Sequence, residues 1–107
     1  MTPGKIASIV GFAVRAGKAV YGLDGIERAG ARVRVIIRCR SLSEGSAGKL
    51  RAFAAGRGIP VIASARALSE IVHRDNCKAI GITDAQMAAA VLRYTDENFQ
   101  REPAEVQ

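Results

Sequence analysis

Apolar positions along this chain switch repeatedly between a spacing of three to four and a spacing of two, which predicts alternating helices and strands. Ile6, Ile9, Val10 and Ala13 recur at helical spacing, with Thr2 as N-cap, Pro3 at the first helical position and Gly17 as C-cap. Ala19 to Tyr21 is a short strand. Gly22 to Ala29 reads as a second helix, with Ile26 and Ala29 inward and Arg28 and Arg32 outward or at its end. Val33, Val35, Ile37 and Cys39 then alternate with Arg34, Ile36, Arg38 and Arg40, the period of a strand. Ile36 places a partial cover on the second face, so the arginines are expected to reach solvent at the strand ends.

The second half repeats the alternation. Ser43 to Arg57 reads as a helix burying Ala47, Leu50, Phe53 and Ala54, and Gly58 ends it. Val61 to Ala63 is a strand. Ser64 is expected to cap a fourth helix that buries Leu68, Ile71 and Val72. The loop His73 to Asn76 leads to a strand over Lys78 to Ile82. Thr83-Asp84-Ala85-Gln86 reads as a capping box before a last helix that buries Met87, Val91 and Leu92. After Asn98 the periodicity stops. The expected organisation is one folded domain over residues 1–98 and a disordered tail over 99–107. The fold class is α/β: a three-layer α/β/α sandwich around a small mixed sheet of about four strands.

With 107 residues, the chain suits a single core of modest size. It contains no apolar run of the ~20 residues needed to span a bilayer. Its amino terminus lacks the features of a secretory signal. Cys39 and Cys77 have neither a CxxC spacing nor neighbouring histidines, the pattern of reduced thiols in a cytoplasmic protein.

Charge sharpens the picture. The net charge is +6, but it is divided unevenly. Residues 1–66 carry twelve Lys and Arg against three acidic residues, a net +9, whereas residues 67–107 carry four against seven, a net −3. Between Arg15 and Arg40, seven of 26 residues are basic. A basic face on an ordered scaffold is built to receive a polyanion. The charge by itself admits RNA, DNA or an acidic protein.

Enzyme chemistry finds little support in the residues. A single histidine rules out paired-His metal motifs, and His73 reads as a loop residue rather than a base. GFAVRAGKA departs from a phosphate loop, because five residues separate Gly11 from Gly17 and Ala19 stands where Ser or Thr should be. No GxSxG elbow is present. The expectation is a non-catalytic protein without metal or cofactor.

Binding has a physical basis in the Gly22 segment. Free backbone N–H groups at the start of the second helix suit phosphate, and Gly22 allows close approach of a nucleic-acid backbone. Lys18 and Arg28 are expected to flank this point. Asp24 either caps the helix dipole or accepts hydrogen bonds from a guanine edge exposed in a bent RNA.

These residues resemble the kink-turn RNA-binding ribosomal protein family named for L-seven-Ae, and within it the small bacterial YlxQ-like branch. The resemblance runs from about Lys5 to Leu92 and is most specific in GFAVRAGKAVYG; VRVIIRC, GIPVIAS, ALSEIV and AIGITDAQM follow in the family's order. It implies recognition of a sharply bent RNA duplex with tandem sheared G·A pairs, and a ribosome- or translation-associated role. By this resemblance Gly22 matches the glycine before the recognition helix, and Lys18 and Arg28 match basic positions. Asp24 and Gly25 stand where relatives carry a polar pair. His73, Arg74 and Asn76 fall in the loop that closes over the bend. Arg38 and Arg40 flank Cys39 in a segment that is commonly acidic in relatives, and with Arg32 they extend the basic surface. The expected partner is structured RNA, kink-turn or rRNA-like. The alternative is an adaptor of the same fold that holds an acidic protein or a ribosome-assembly factor.

Overall fold

The structure, a computed structural model, describes residues 4–102. Its elements follow the expected alternation: α1 (Lys5–Arg15), β1 (Ala19–Tyr21), α2 (Gly22–Ala29), a 3-10 turn (Gly30–Arg32), β2 (Val35–Cys39) and α3 (Glu44–Arg57). They continue with β3 (Val61–Ser64), α4 (Leu68–Val72), β4 (Ala79–Ile82), α5 (Ala85–Arg93) and β5 (Phe99–Arg101). The strands form one mixed sheet in the order β1-β4-β2-β3-β5. Only β2 and β3 pair in parallel; β1 with β4, β4 with β2, and β3 with β5 are antiparallel.

Helices cover both faces of this sheet. On one side Ile6, Val10 and Ala13 of α1, Leu68 and Val72 of α4, and Ala88 and Val91 of α5 pack against Val35, Ile37, Ile62, Ile80 and Ile82. On the other, Ile26 and Ala29 of α2 and Leu50, Phe53 and Ala54 of α3 pack against Ile36, Val61 and Ala79. Burial of the strand interiors on both faces explains why β2 and β3 read as almost continuous apolar runs.

Local chemistry sets the boundaries. Ser43 caps α3 by accepting a hydrogen bond from the Ser46 N–H, and Gly58 closes the helix in the left-handed conformation. The proposed start of α1 at Thr2-Pro3 lies outside the described residues; among those described, Gly4 is the extended N-cap.

Three local expectations are corrected. Ser64 does not cap α4. It is the last residue of β3, and its hydroxyl closes a turn with the backbone of Arg66, while the Leu68 N–H that opens α4 donates to Cys39 Sγ at 3.2 Å. Thr83 does not cap α5 either. Asp84 does so, accepting from the Gln86 and Met87 N–H groups, whereas Thr83 Oγ1 donates to the Lys18 carbonyl. The third correction concerns the carboxy-terminal end. Phe99–Arg101 forms a fifth strand on β3, with Phe99 1% exposed in the core beneath α1, α4 and α5. The ordered chain therefore passes Asn98, and residues 103–107 of the expected tail lie outside the described residues.

Candidate nucleic-acid interface

The sheet register sorts the basic residues into two rims. Tyr21 pairs with Ile80, Ile80 with Ile37, and Cys39 with Ser64, so the carboxy-terminal ends of β1, β2 and β3 and the start of β4 lie at one edge. Ala19 pairs with Ile82 and Ile82 with Val35, which places Lys18, Thr83 and Arg34 at the opposite edge.

The first rim contains the start of α2. Gly22 has φ +72°, a left-handed conformation that a Cβ would strain, and it turns the chain directly from β1 into the helix. No side chain caps α2, so its first-turn N–H groups have no local acceptor among the described side chains. Asp24 is exposed in that first turn, and Arg28 is exposed one turn later on the same side.

The α4–β4 loop lies beside this helix start. Arg74 places its guanidinium carbon 4.0 Å from the Tyr21 ring centroid, tying the loop to the residue before Gly22. Its backbone N–H donates to the Ser69 carbonyl at 3.2 Å. His73 and Asn76 both adopt positive φ, 56° and 60°, a conformation that costs a non-glycine residue on the order of 1 kcal/mol or more. The loop holds this shape with His73, Arg74 and Asn76 exposed. Cys77 is buried just behind it, and burial pushes its thiol pKa up. Exposed Lys78 and Arg40 extend the same edge. Neither Lys78 nor Tyr21 was among the residues singled out in the sequence. The register of β1 against β4, which sequence spacing does not reveal, is what brings them in.

Several sequence-derived candidates do not join this rim. Lys18 lies four residues before Gly22 along an extended strand, about 13 Å away at ~3.3 Å per residue. It does not flank the helix start. Arg32 sits in the 3-10 turn beyond the other end of α2, again on the far side. Gly25 faces the sheet, with its Cβ position 3.8 Å from Val20. Arg38 is drawn into an ion pair with Glu102 and also donates to the Cys39 carbonyl, leaving its side chain 14% exposed. Its charge is therefore satisfied within the fold. Arg40 keeps its exposure while donating to Gln100 Oε1 at 3.2 Å. Gly22, Asp24, Arg40, His73, Arg74 and Asn76 remain at this rim, with Arg28 set back from it in the last turn of α2.

This edge offers uncapped backbone donors, dispersed cations, one exposed carboxylate and an aromatic ring already engaged with a guanidinium. Such a set can bind phosphates and hydrogen-bond a base edge. No helix among the described residues is long and apolar enough to cross a membrane. No family model matches the chain, and no curated protein matches it. Its fold is similar to that of a solved structure described as a protein of unknown function from Bacillus halodurans C, with TM-score 0.81 and 21% sequence identity over 86% of this chain and 97% of that one.

Proposed function

We propose that this chain is a non-catalytic RNA-binding protein whose Gly22 rim receives a kink-turn-like or other sharply bent structured RNA, in a ribosome- or translation-associated setting. The observation that carries the reading is the Arg74–Tyr21 stack, because it joins the α4–β4 loop to the uncapped start of α2. Phosphates meet the Gly22 turn and the guanidinium of Arg28, and the loop closes from the other side. Asp24 is the base-reading group, accepting from the N1–H and N2–H₂ of a guanine. The resemblance of GFAVRAGKAVYG to the kink-turn-binding family supports the same assignment.

The test is a titration of a kink-turn RNA and of a control with disrupted G·A pairs, each at two salt concentrations. Wild-type protein should prefer the intact RNA. Asp24→Ala should narrow that preference, whereas Arg28→Ala should weaken both RNAs and flatten the salt dependence by roughly one unit of slope. Equal wild-type affinity for the two RNAs would remove the kink-turn assignment and leave general RNA binding standing.

A further inference from the structure

The rim opposite Gly22 has a cavity of its own. It measures about 300 Å³ and is lined by Ala31, Val33, Arg34, Arg57, Gly58 and Ile59, between the 3-10 turn and the end of α3. That volume falls at the small end of ligand pockets. The lining combines two kinds of surface. Ala31, Val33 and Ile59 supply an apolar wall, and Arg34 and Arg57 supply charge at its mouth.

Arg57 is held in a defined pose. Its guanidinium carbon lies 4.1 Å from the Phe53 ring centroid, and one N–H donates to the Phe53 carbonyl at 3.4 Å. The guanidinium is thus backed on one side by the Phe53 ring while the residue as a whole stays exposed. The open face is a platform for a second planar group, the way arginine stacks on unpaired bases. Arg34 is exposed where β2 begins, and its backbone N–H is fixed to the Ile82 carbonyl at 2.7 Å. Lys18 and Arg32 stand on the same rim. None of Lys18, Arg32, Arg34 and Arg57 has an ion-pair partner among the described residues. Asp84, which follows Thr83 on that rim, has its carboxylate engaged by the first N–H groups of α5.

From this geometry we infer a second nucleic-acid site that takes an unstacked nucleotide of single-stranded RNA. The base lies against the apolar wall and the open face of Arg57, and the phosphates pair with Arg34 and Lys18. The site is separate from the Gly22 rim, so one chain could hold a folded RNA element on one edge and a flanking single strand on the other.

The probe is a short oligouridine, with oligothymidine as the deoxy counterpart, titrated against the full chain by fluorescence anisotropy. Combined Arg34→Gln and Arg57→Gln should weaken oligouridine binding about tenfold, and Arg57→Lys, which keeps the charge but removes the plane, should weaken it severalfold. Arg74→Ala and Asp24→Ala, on the opposite rim, should change it far less than the Arg34→Gln and Arg57→Gln combination does. In the wild type, oligouridine should shift the backbone amide resonances of Ala31, Val33, Gly58 and Ile59, a readout that holds even where a variant folds poorly. Undiminished binding by the double variant, an equal loss in Arg74→Ala, or amide shifts confined to 21–28 and 73–78 would overturn the inference. Tighter binding of oligothymidine would overturn its assignment to RNA. The Gly22 reading is untouched by any of these outcomes, because it is tested with kink-turn RNA and its G·A-disrupted control.

Discussion

Arg74 stacks on Tyr21 at 4.0 Å from guanidinium carbon to ring centroid, so a loop residue and a strand end form one surface. The contact is exposed on the loop side and half-buried on the tyrosine side. A cation–π pair at such a site contributes about 0.5–1 kcal/mol. Arg74→Ala should lower unfolding free energy by about that amount in urea titrations, and should weaken structured-RNA binding by more than the stability change alone would cause. Arg74→Lys should preserve the salt slope of binding while losing part of the stacking. Equal effects of the Ala and Lys variants on the salt slope would show that the loop's charge does not meet the RNA.

Gly81 makes a different kind of contact. It sits in β4 between Val20 and Ile36 in the sheet register, directly under α2. A Cβ there would lie 3.0 Å from Val20 Cγ2, 3.1 Å from Val33 Cγ1 and 3.3 Å from Ile26 Cγ1. The missing side chain lets α2 approach the sheet, and that approach places the Gly22 turn and Asp24 at the rim. Gly81→Val should therefore destabilise the protein by about 1–3 kcal/mol through overpacking. Adding Val20→Ala to Gly81→Ala should recover part of the smaller loss, a coupling that a double-mutant cycle in urea would measure.

The parts of the fold that were legible in the sequence are those dictated by short-range chemistry. The period-two run over β2, the apolar stripe of α3 and the Gly58 stop all act within a few residues. The misreadings have long-range causes. Ser64 is a sound N-cap by type, but parallel pairing with Cys39 draws it into β3, and Cys39 sulfur meets the first N–H of α4 instead. Arg38 reads as a free cation until Glu102, 64 residues later, is brought beside it. Lys18 and Gly22 are neighbours in sequence, yet an extended strand separates them onto opposite rims. The two-rim division follows from strand register, and no local pattern encodes it.

Phe99 shows the same limit at the end of the chain. A lone aromatic after a polar Asp96-Glu97-Asn98 run gives no period from which to predict a strand. The surrounding backbone nevertheless closes a turn, with Asp96 Oδ1 accepting from the Asn98 and Phe99 N–H groups, and Phe99 is buried in the larger core cluster. Phe99→Ala should cost about 3–5 kcal/mol, a large share of the ~5–15 kcal/mol typical of a domain. The midpoint of urea unfolding reports the change. A loss within experimental error would mean that β5 contributes nothing to global stability.

Cys77 gives the fold a pH dependence of known sign. Burial raises its thiol pKa and the neighbouring Cys39 adds to the rise, while a backbone hydrogen bond at Ala79 and the charge of Arg74 pull the other way less strongly. The unfolded chain, with an ordinary thiol near pKa ~8.5, gives up this proton first. The stability contribution is thus fully present below that unfolded-state value and is lost as pH rises through the higher folded-state value. Urea midpoints measured under reducing conditions from about pH 7 to about pH 10 should fall more steeply for the wild type than for Cys77→Ala. The gap between the two proteins should narrow as pH rises. Parallel curves would place the alkaline loss of stability on groups other than Cys77.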